Sequence, residues 1–290
     1  MAKILISGGT GSIGRLMADF LHEKGHEVCL LSRSDRNDSP YKIFRWNIKE
    51  NFLDPKALES CEYIIHLAGA GIADKTWTSE RKREIIESRV QSTDLLYNKV
   101  KESKTKLKAF ISASAVGYYG QQTSELIFTE EDKSANDFVG KTCFLWEQAA
   151  ERFEKLNIRT VRIRIGVVLM AHGGALEKMA QPIRMGVGAV LGSGRQFIPW
   201  IHVSDLVTIF HKALQDNEMS GPFNAVSPEP VNNSEFTHAL AEAMGKKIWL
   251  PKIADGEIGT LALLDNEDWG SETIICTAAD KDGSLVLDGI

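Results

Sequence analysis

The most constraining feature of this 290-residue chain is its first turn, Ser7-Gly8-Gly9-Thr10-Gly11-Ser12-Ile13-Gly14. Lys3–Ser7 before it is a short apolar run. Ser12–Lys24 after it carries Ile13, Leu16, Met17, Phe20 and Leu21 at helical spacing. Gly9, Gly11 and Gly14 fit G-x-G-x-x-G, and Gly8, Gly11 and Gly14 also fit G-x-x-G-x-x-G. Between a strand and an amphipathic helix, such glycines allow a tight turn and a close backbone approach to a pyrophosphate at the helix N-terminus. Gly25 is placed to end that helix.

The same alternation continues. Strands are expected at Glu27–Leu31, Lys42–Trp46, Tyr63–Leu67, Lys108–Ser112 and Thr160–Ile165, with helices over Thr78–Lys101 and Lys141–Leu156. Strands separated by helices imply βαβ units, and therefore an α/β fold: a Rossmann-type doubly wound parallel sheet. After Gly166 the pattern loosens. Glycine-punctuated segments lead to strand-like Ile198–Val203, helix-like Asp205–Leu214, strand-like Pro222–Val226 and helix-like Ser234–Met244. Residues 1–168 are thus expected to be the nucleotide-binding domain and 169–253 a smaller interleaved lobe covering the ligand. Residues 254–290 read as a divergent acidic tail.

Composition narrows the partners. A net charge of −5 argues against nucleic acid, which leaves a basic footprint. No apolar run approaches the roughly 18 residues of a membrane span, and the opening residues run straight into glycines rather than a signal-peptide core. The four cysteines, Cys29, Cys61, Cys143 and Cys276, lie far apart without a C-x-x-C pair. The expectation is a reduced cytoplasmic protein, a monomer or homodimer, with no metal centre.

The end of the second strand selects between dinucleotides. An acid there would bond the adenosine ribose hydroxyls. This chain has Ser32-Arg33-Ser34, and arginine matches a 2′-phosphate through paired, charge-assisted bonds. NADP(H) is the expected cofactor.

Further motifs carry a family resemblance. His66-Leu67-Ala68-Gly69, Ser88-Arg89-Val90, Ser112–Gly120 (SASAVGYYG) and Trp146-Glu147 follow the glycine loop in order. Gly166–Leu169, Gly192–Gln196 (GSGRQ) and Trp200–Asp205 (WIHVSD) complete the series. The chain resembles the extended, epimerase-like branch of the short-chain dehydrogenases/reductases, in its NADP(H)-binding, nucleoside-diphosphate-sugar epimerase-like subgroup. The resemblance runs from Met1 to about Pro251. It implies cofactor contacts from Gly8, Thr10, Gly11, Ile13 and Gly14 at the pyrophosphate, and from Ser32 and Arg33 at the adenosine phosphate. Leu67, Ala68 and Gly69 would line the cofactor, Glu84 and Arg89 would reach it, and Val167 would pack near the nicotinamide. Ser114 would be the catalytic hydroxyl.

The resemblance breaks at the catalytic pair. Superfamily members place Y-x-x-x-K on the helix after the serine strand, with the lysine lowering the tyrosine pKa. Those positions here are Val139 and Cys143. Tyr118 and Tyr119 are the tyrosines near Ser114, and Lys141 is the nearby lysine. The Y-x-x-x-K at Tyr97–Lys101 precedes that strand and is expected to be ordinary helix surface. His22-Glu23-Lys24-Gly25-His26 spells H-E-x-x-H, but Gly25 puts the second histidine beyond the helix, so the rings should not share a face. Arg184, Arg195 and His202 in the covering half are possible contacts for an unknown small-molecule substrate, with Arg195 and His202 the stronger candidates. Trp200 is expected in the core.

Two functions remain open at this level. One is reversible hydride transfer to a small or nucleotide-linked sugar or carbonyl. The other is a non-catalytic NADP(H) sensor. From Asp255 onward there are nine acids and one lysine, so the acidic balance belongs to the tail. Its short apolar stretches Thr273–Thr277 and Ser284–Asp288 flank a D-G turn signal, a marginal hairpin on its own. The tail is expected to be dispensable for cofactor binding.

Overall fold

The computed structural model describes residues 1–34, 39–103, 105–121, 126–171, 173–250 and the backbone of Ile275–Cys276. Its strands begin with β1 (Lys3–Ser7), β2 (Glu27–Ser32), β3 (Lys42–Asn47), β4 (Phe52–Leu53), β5 (Tyr63–His66) and β6 (Ala109–Ala115). β7 (Ile127–Phe128), β8 (Arg159–Ile165), β9 (Val167–Leu169) and β10 (Phe197–Ile198) follow. The last are β11 (Trp200–His202), β12 (Gly221–Ala225), β13 (Val231–Asn232) and β14 (Ile275–Cys276). The helices are α1 (Ser12–Glu23), α2 (Ser79–Ser103), α3 (Phe138–Glu151), α4 (Gly174–Arg184), α5 (Val203–Gln215) and α6 (Asn233–Ala243).

Eight strands form one sheet in the order β12-β8-β6-β5-β1-β2-β3-β4. β1 pairs in parallel with β2 on one side and β5 on the other, so the strand order reverses at β1. β2–β3 and β5–β6 are also parallel, and β3–β4 is antiparallel. This mostly parallel sheet flanked by helices is the doubly wound Rossmann-type α/β fold expected from the alternation. Ile4, Leu5 and Ile6 are fully buried, as a strand covered on both faces requires. Among the described residues, no helix is long and apolar enough to cross a membrane.

Contacts divide the chain into two compact units. The first comprises Met1–Ser114, Thr142–Ile163 and Ser204–Pro222; the second comprises Ala115–Lys141, Arg164–Val203 and the residues from Phe223 onward. In the first, Leu5, Leu31, Phe44, Ile64, Leu96, Phe110 and Phe153 belong to one core cluster. Phe110 and Phe153 stack with ring centroids 3.7 Å apart. A smaller cluster in the second unit joins Val116, Tyr119 and Val226.

Several elements differ from the sequence reading. The expected strand over Ile198–Val203 is two strands on either side of Pro199. β10 pairs antiparallel with β13, and β11 pairs in parallel with β9. Proline has no N–H to donate and a fixed φ, so a ladder changes partner there. Helix α4 lies in the segment that looked only glycine-punctuated. Its signal was present in Leu176, Met179, Ala180 and Ile183, and Ala180 and Ile183 are buried. Helix α3 starts at Phe138, three residues earlier than expected, and its expected last turn is a separate 3₁₀ segment, Arg152–Leu156. In the tail, Ile275–Cys276 pairs in parallel with Ile127–Phe128; the expected second stretch, Ser284–Asp288, lies outside the described residues.

The glycine loop is fixed by backbone contact. Gly8 has φ +74°, and a β-carbon there would lie 2.8 Å from the Leu67 carbonyl carbon. A β-carbon on Gly14 would lie 2.3 Å from the Gly8 oxygen. Alanine gains up to about 1 kcal/mol over glycine in a helix interior, whereas overpacking costs about 1–3 kcal/mol. With rigid backbone as the obstacle, overpacking wins. Gly14→Ala is expected to lower unfolding free energy by about 1–2 kcal/mol, read from urea denaturation; a stabilised variant would contradict the packing described here.

Candidate functional site

A cavity of about 370 Å³ opens in the first unit at the carboxyl end of β1. Gly8, Thr10 and Gly11 form its loop, and Leu31, Ser32, Arg33 and Ser34 line it from the end of β2. Trp46 and Ile48 come from β3 and its continuation, Leu67 to Ala70 from beyond β5, and Glu84 and Ser88 from α2. The strand order reverses here, and open α/β sheets bind ligands at such a switch point. Helix α1 starts at Gly11 with no side-chain cap and no acid in its first turn. Its free N–H groups and dipole therefore favour an anion.

Arg33 is exposed at the cavity wall. The loop carrying it is tied by Ser32 Oγ, which donates to Ser34 O at 2.8 Å and accepts from Ser34 N at 3.2 Å. Glu84 is held by Arg81 at 2.6 Å, and that hydrogen bond keeps its carboxyl below the usual carboxylate range. Arg81 is itself buried and donates to Gly71 O.

Nine of the thirteen expected cofactor residues line the cavity: Gly8, Thr10, Gly11, Ser32, Arg33, Leu67, Ala68, Gly69 and Glu84. Gly14 acts behind it, through its approach to Gly8. Ile13 sits half-buried on α1. Arg89 lies behind Gly69, where a β-carbon would meet its guanidinium at 3.2 Å, and it donates to Ala70 O and Ile85 O. Burial pushes the Arg89 pKa down. Val167 belongs to the second unit, paired with Trp200. Sequence reasoning missed Leu31, Ser34, Trp46, Ile48, Ala70 and Ser88. Trp46 and Ile48 were available from period-2 alternation with Phe44. Ser88, whose Oγ accepts from Ala70 N at 3.0 Å, sat inside a quoted motif.

Ser114, near the end of β6, donates to Glu147 Oε1 at 2.7 Å, and both side chains are buried. Glu147 was visible only as half of the Trp146-Glu147 motif. Val139 and Cys143, at the expected tyrosine and lysine positions, are buried apolar residues on the same helix. Tyr97 is not the helix surface expected: it is buried, edge-on to Phe153 and under the Arg152 guanidinium. Its phenol belongs to the core of the first unit.

In the second unit, Tyr118 and Tyr119 end a 3₁₀ turn, Val116–Tyr119. Tyr119 is buried; its hydroxyl accepts from Arg164 Nη1 at 2.8 Å and donates to Asn224 Oδ1 at 2.8 Å. Arg164 also donates to Glu130 O, and the Glu130 carboxylate accepts from Asn224 N at 2.7 Å. The Arg164 guanidinium lies 3.6 Å from the Tyr118 ring centroid. Tyr118 is half-buried. Arg184, Arg195 and His202 are exposed, and Trp200 is half-buried rather than core, with its Nε1 buried. His22 edges Tyr41 whereas His26 meets His211, so the H-E-x-x-H rings do not share a partner. Among the described residues no group of three or more His, Cys, Asp or Glu could hold a metal ion.

Against known proteins, residues 4–227 match the model of the NAD dependent epimerase/dehydratase family. The chain belongs to that family. It is 34% identical over 270 residues to an epimerase family protein of Staphylococcus aureus, covering 91% of this chain and 89% of that one. It is 36% identical over 253 residues to the human epimerase family protein SDR39U1, covering 86% and 83%. A crystal structure of that human protein (isoform 2) with NADPH superposes with a TM-score of 0.82 at 30% identity, covering 95% of this chain and 91% of the other. A UDP-N-acetylglucosamine 4-epimerase of Bacillus cereus, at 17% identity and a TM-score of 0.75, shares the fold.

The buried tyrosine network can be tested by itself. Tyr119→Phe removes the hydroxyl between Arg164 and Asn224 and takes one buried partner from each, a loss of about 1–3 kcal/mol. Chemical denaturation should show a loss of that size with an unchanged m-value; a neutral substitution would mean that water replaces the hydroxyl.

Proposed function

We propose that this family member binds NADP(H) in the first-unit cavity and catalyses reversible hydride transfer on a small or nucleotide-linked sugar or carbonyl. The observation that carries the proposal is the cavity itself, which an uncapped helix N-terminus, a glycine loop with no room for a β-carbon at Gly8, and Arg33 all line. These residues fit the group. The backbone of Gly8, Thr10 and Gly11, with the N–H groups of Ile13 and Gly14 in the first turn of α1, suits a pyrophosphate, and Arg33 with Ser32 suits a 2′-phosphate. Leu31, Trp46 and Ile48 give an apolar wall suited to an adenine ring. Leu67 to Gly69, Glu84 and Arg89 complete the set, with Val167 assigned to the nicotinamide side. The human relative solved with NADPH supports this choice.

When bound, the nicotinamide supplies or accepts the hydride. Ser114 holds the reacting oxygen, and its bond to Glu147 gives a route by which a proton leaves or reaches that oxygen through the serine hydroxyl. Tyr118 is the second proton-bearing candidate. Tyr119, already donating and accepting, orients it. Arg195 and His202 are assigned to the substrate. The proposal puts the protein in the cytoplasm as a monomer or homodimer, with no nucleic-acid partner.

A second function, an NADP(H)-binding regulatory protein without turnover, is favoured by one observation. The positions of the Tyr/Lys pair carry buried Val139 and Cys143, and loss of a general acid costs roughly 10²–10⁴ in rate.

Two measurements separate these. Titration should show NADPH binding about 10–150-fold tighter than NADH, the worth of a charge-assisted contact of about 1.5–3 kcal/mol, with Arg33→Ala removing the difference. Equal affinities that ignore Arg33 would sink the cofactor assignment. NADPH oxidation across a carbonyl panel should then be slow, and should fall about 10²-fold or more in Ser114→Ala with Tyr118→Phe. Tight NADPH binding with no oxidation of any carbonyl supports the regulatory function instead.

A further inference from the structure

His66 is fully buried at the end of β5 and is not among the residues that line the cavity. Its two nitrogens meet three hydroxyls. Nδ1 lies 2.6 Å from Ser7 Oγ, and Nε2 lies 3.2 Å from Ser92 Oγ and 3.0 Å from Thr93 Oγ1. Ser92 and Thr93 each donate to the Arg89 carbonyl, at 2.9 and 2.8 Å. A hydroxyl has one proton to give. With both protons spent on Arg89 O, Ser92 and Thr93 can only accept from the ring, so Nε2 carries a hydrogen.

The other side of the ring agrees. Ser7 is fully buried, and Nδ1 is its hydroxyl's partner. Were Nδ1 protonated, the Ser7 proton would be buried without an acceptor, which costs about 1–3 kcal/mol. With Nδ1 bare, Ser7 donates to it and every polar hydrogen in the group is used. The order of donation is therefore fixed: Ser7 to His66, His66 to Ser92 and Thr93, and those two to Arg89 O. Burial pushes the His66 pKa down to about 3, with the Arg89 charge adding to the effect, so the ring stays neutral.

The three elements so joined all contribute to the cavity, alongside β2 and β3. Ser7 is the last residue of β1 before Gly8, His66 immediately precedes Leu67 to Gly69, and Arg89 on α2 bonds Ala70 O behind Gly69. We propose that His66, as the neutral Nε2–H imidazole, is a positioning residue that sets the glycine loop, the Leu67–Ala70 wall and Arg89 in register for the cofactor. The proposal rests on the NADP(H) assignment for its consequence, though not for its geometry.

Nitrogen-15 NMR of the histidine rings in the ligand-free protein tests the geometry. His66 should show the Nε2–H tautomer, and Ser7→Ala should shift its signals by removing the donor to Nδ1. Hydrogen exchange on the same ligand-free protein should show Leu67–Ala70 and Arg89–Thr93 losing protection together in His66→Phe, which keeps a ring but neither bond. NADPH affinity should fall roughly 2–30-fold in that variant, the range for coupling through residues that do not touch the ligand. If His66→Phe does not fold, Ser7→Ala supplies the same readouts. An Nδ1–H ring, or exchange unchanged in both segments, overturns the proposal whether or not NADPH binds. Absence of NADPH binding by the unaltered protein counts against the cofactor assignment alone.

Discussion

Gly14 stands in the first turn of α1, and the place a β-carbon would occupy there is 2.3 Å from the Gly8 oxygen. Gly8 in turn is pressed against the backbone of Leu67 and Ala68. The two ends of the glycine loop and the distant Leu67–Ala68 backbone therefore meet without side chains between them. That approach aims the N-terminus of α1 across the end of β1 and leaves its N–H groups facing the cavity. A side chain at either glycine would move the helix, and with it the positive end that faces the cavity.

Buried polar groups do the remaining positioning, each in its own unit. In the first, His66 bonds its hydroxyl partners next to the Leu67–Ala70 wall, and Ser114 on β6 bonds Glu147 on α3. In the second, Arg164, Tyr119, Asn224 and Glu130 satisfy one another. Such groups cost little while every partner is present and much when one is removed. They specify a geometry more than they add stability. The substitution of Val139 and Cys143 for the expected Tyr/Lys pair fits this division. The helix keeps its packing, with both positions buried.

Much of the fold could be read from periodicity, because β1, β2, β5 and β6 are near-continuous apolar runs and α1 has a clean stripe with a glycine cap. The loop, Arg33 and the Leu67–Gly69 wall were legible as a cavity lining for a related reason: a glycine turn with a cation close by leaves its composition in a short stretch. Where the reading failed, distant partners decided. Tyr97 looks like a surface tyrosine until Phe153 and Arg152 cover it. Ile198–Val203 looks like one strand until Pro199 divides its partners between β13 and β9.

The amino-acid sequence alone determined the parallel α/β architecture, the glycine turn before α1 and the residues Val139 and Cys143 where a Tyr/Lys pair was expected, since each is a matter of local residue type and spacing. Tertiary structure alone decided which polar groups face which: Ser114 with Glu147, Tyr119 with Arg164 and Asn224, and His66 with Ser7, Ser92 and Thr93. These partners lie from 26 to 105 residues apart in the chain. A hydrogen bond needs its donor and acceptor within about 3 Å, and no periodicity along the sequence encodes that meeting.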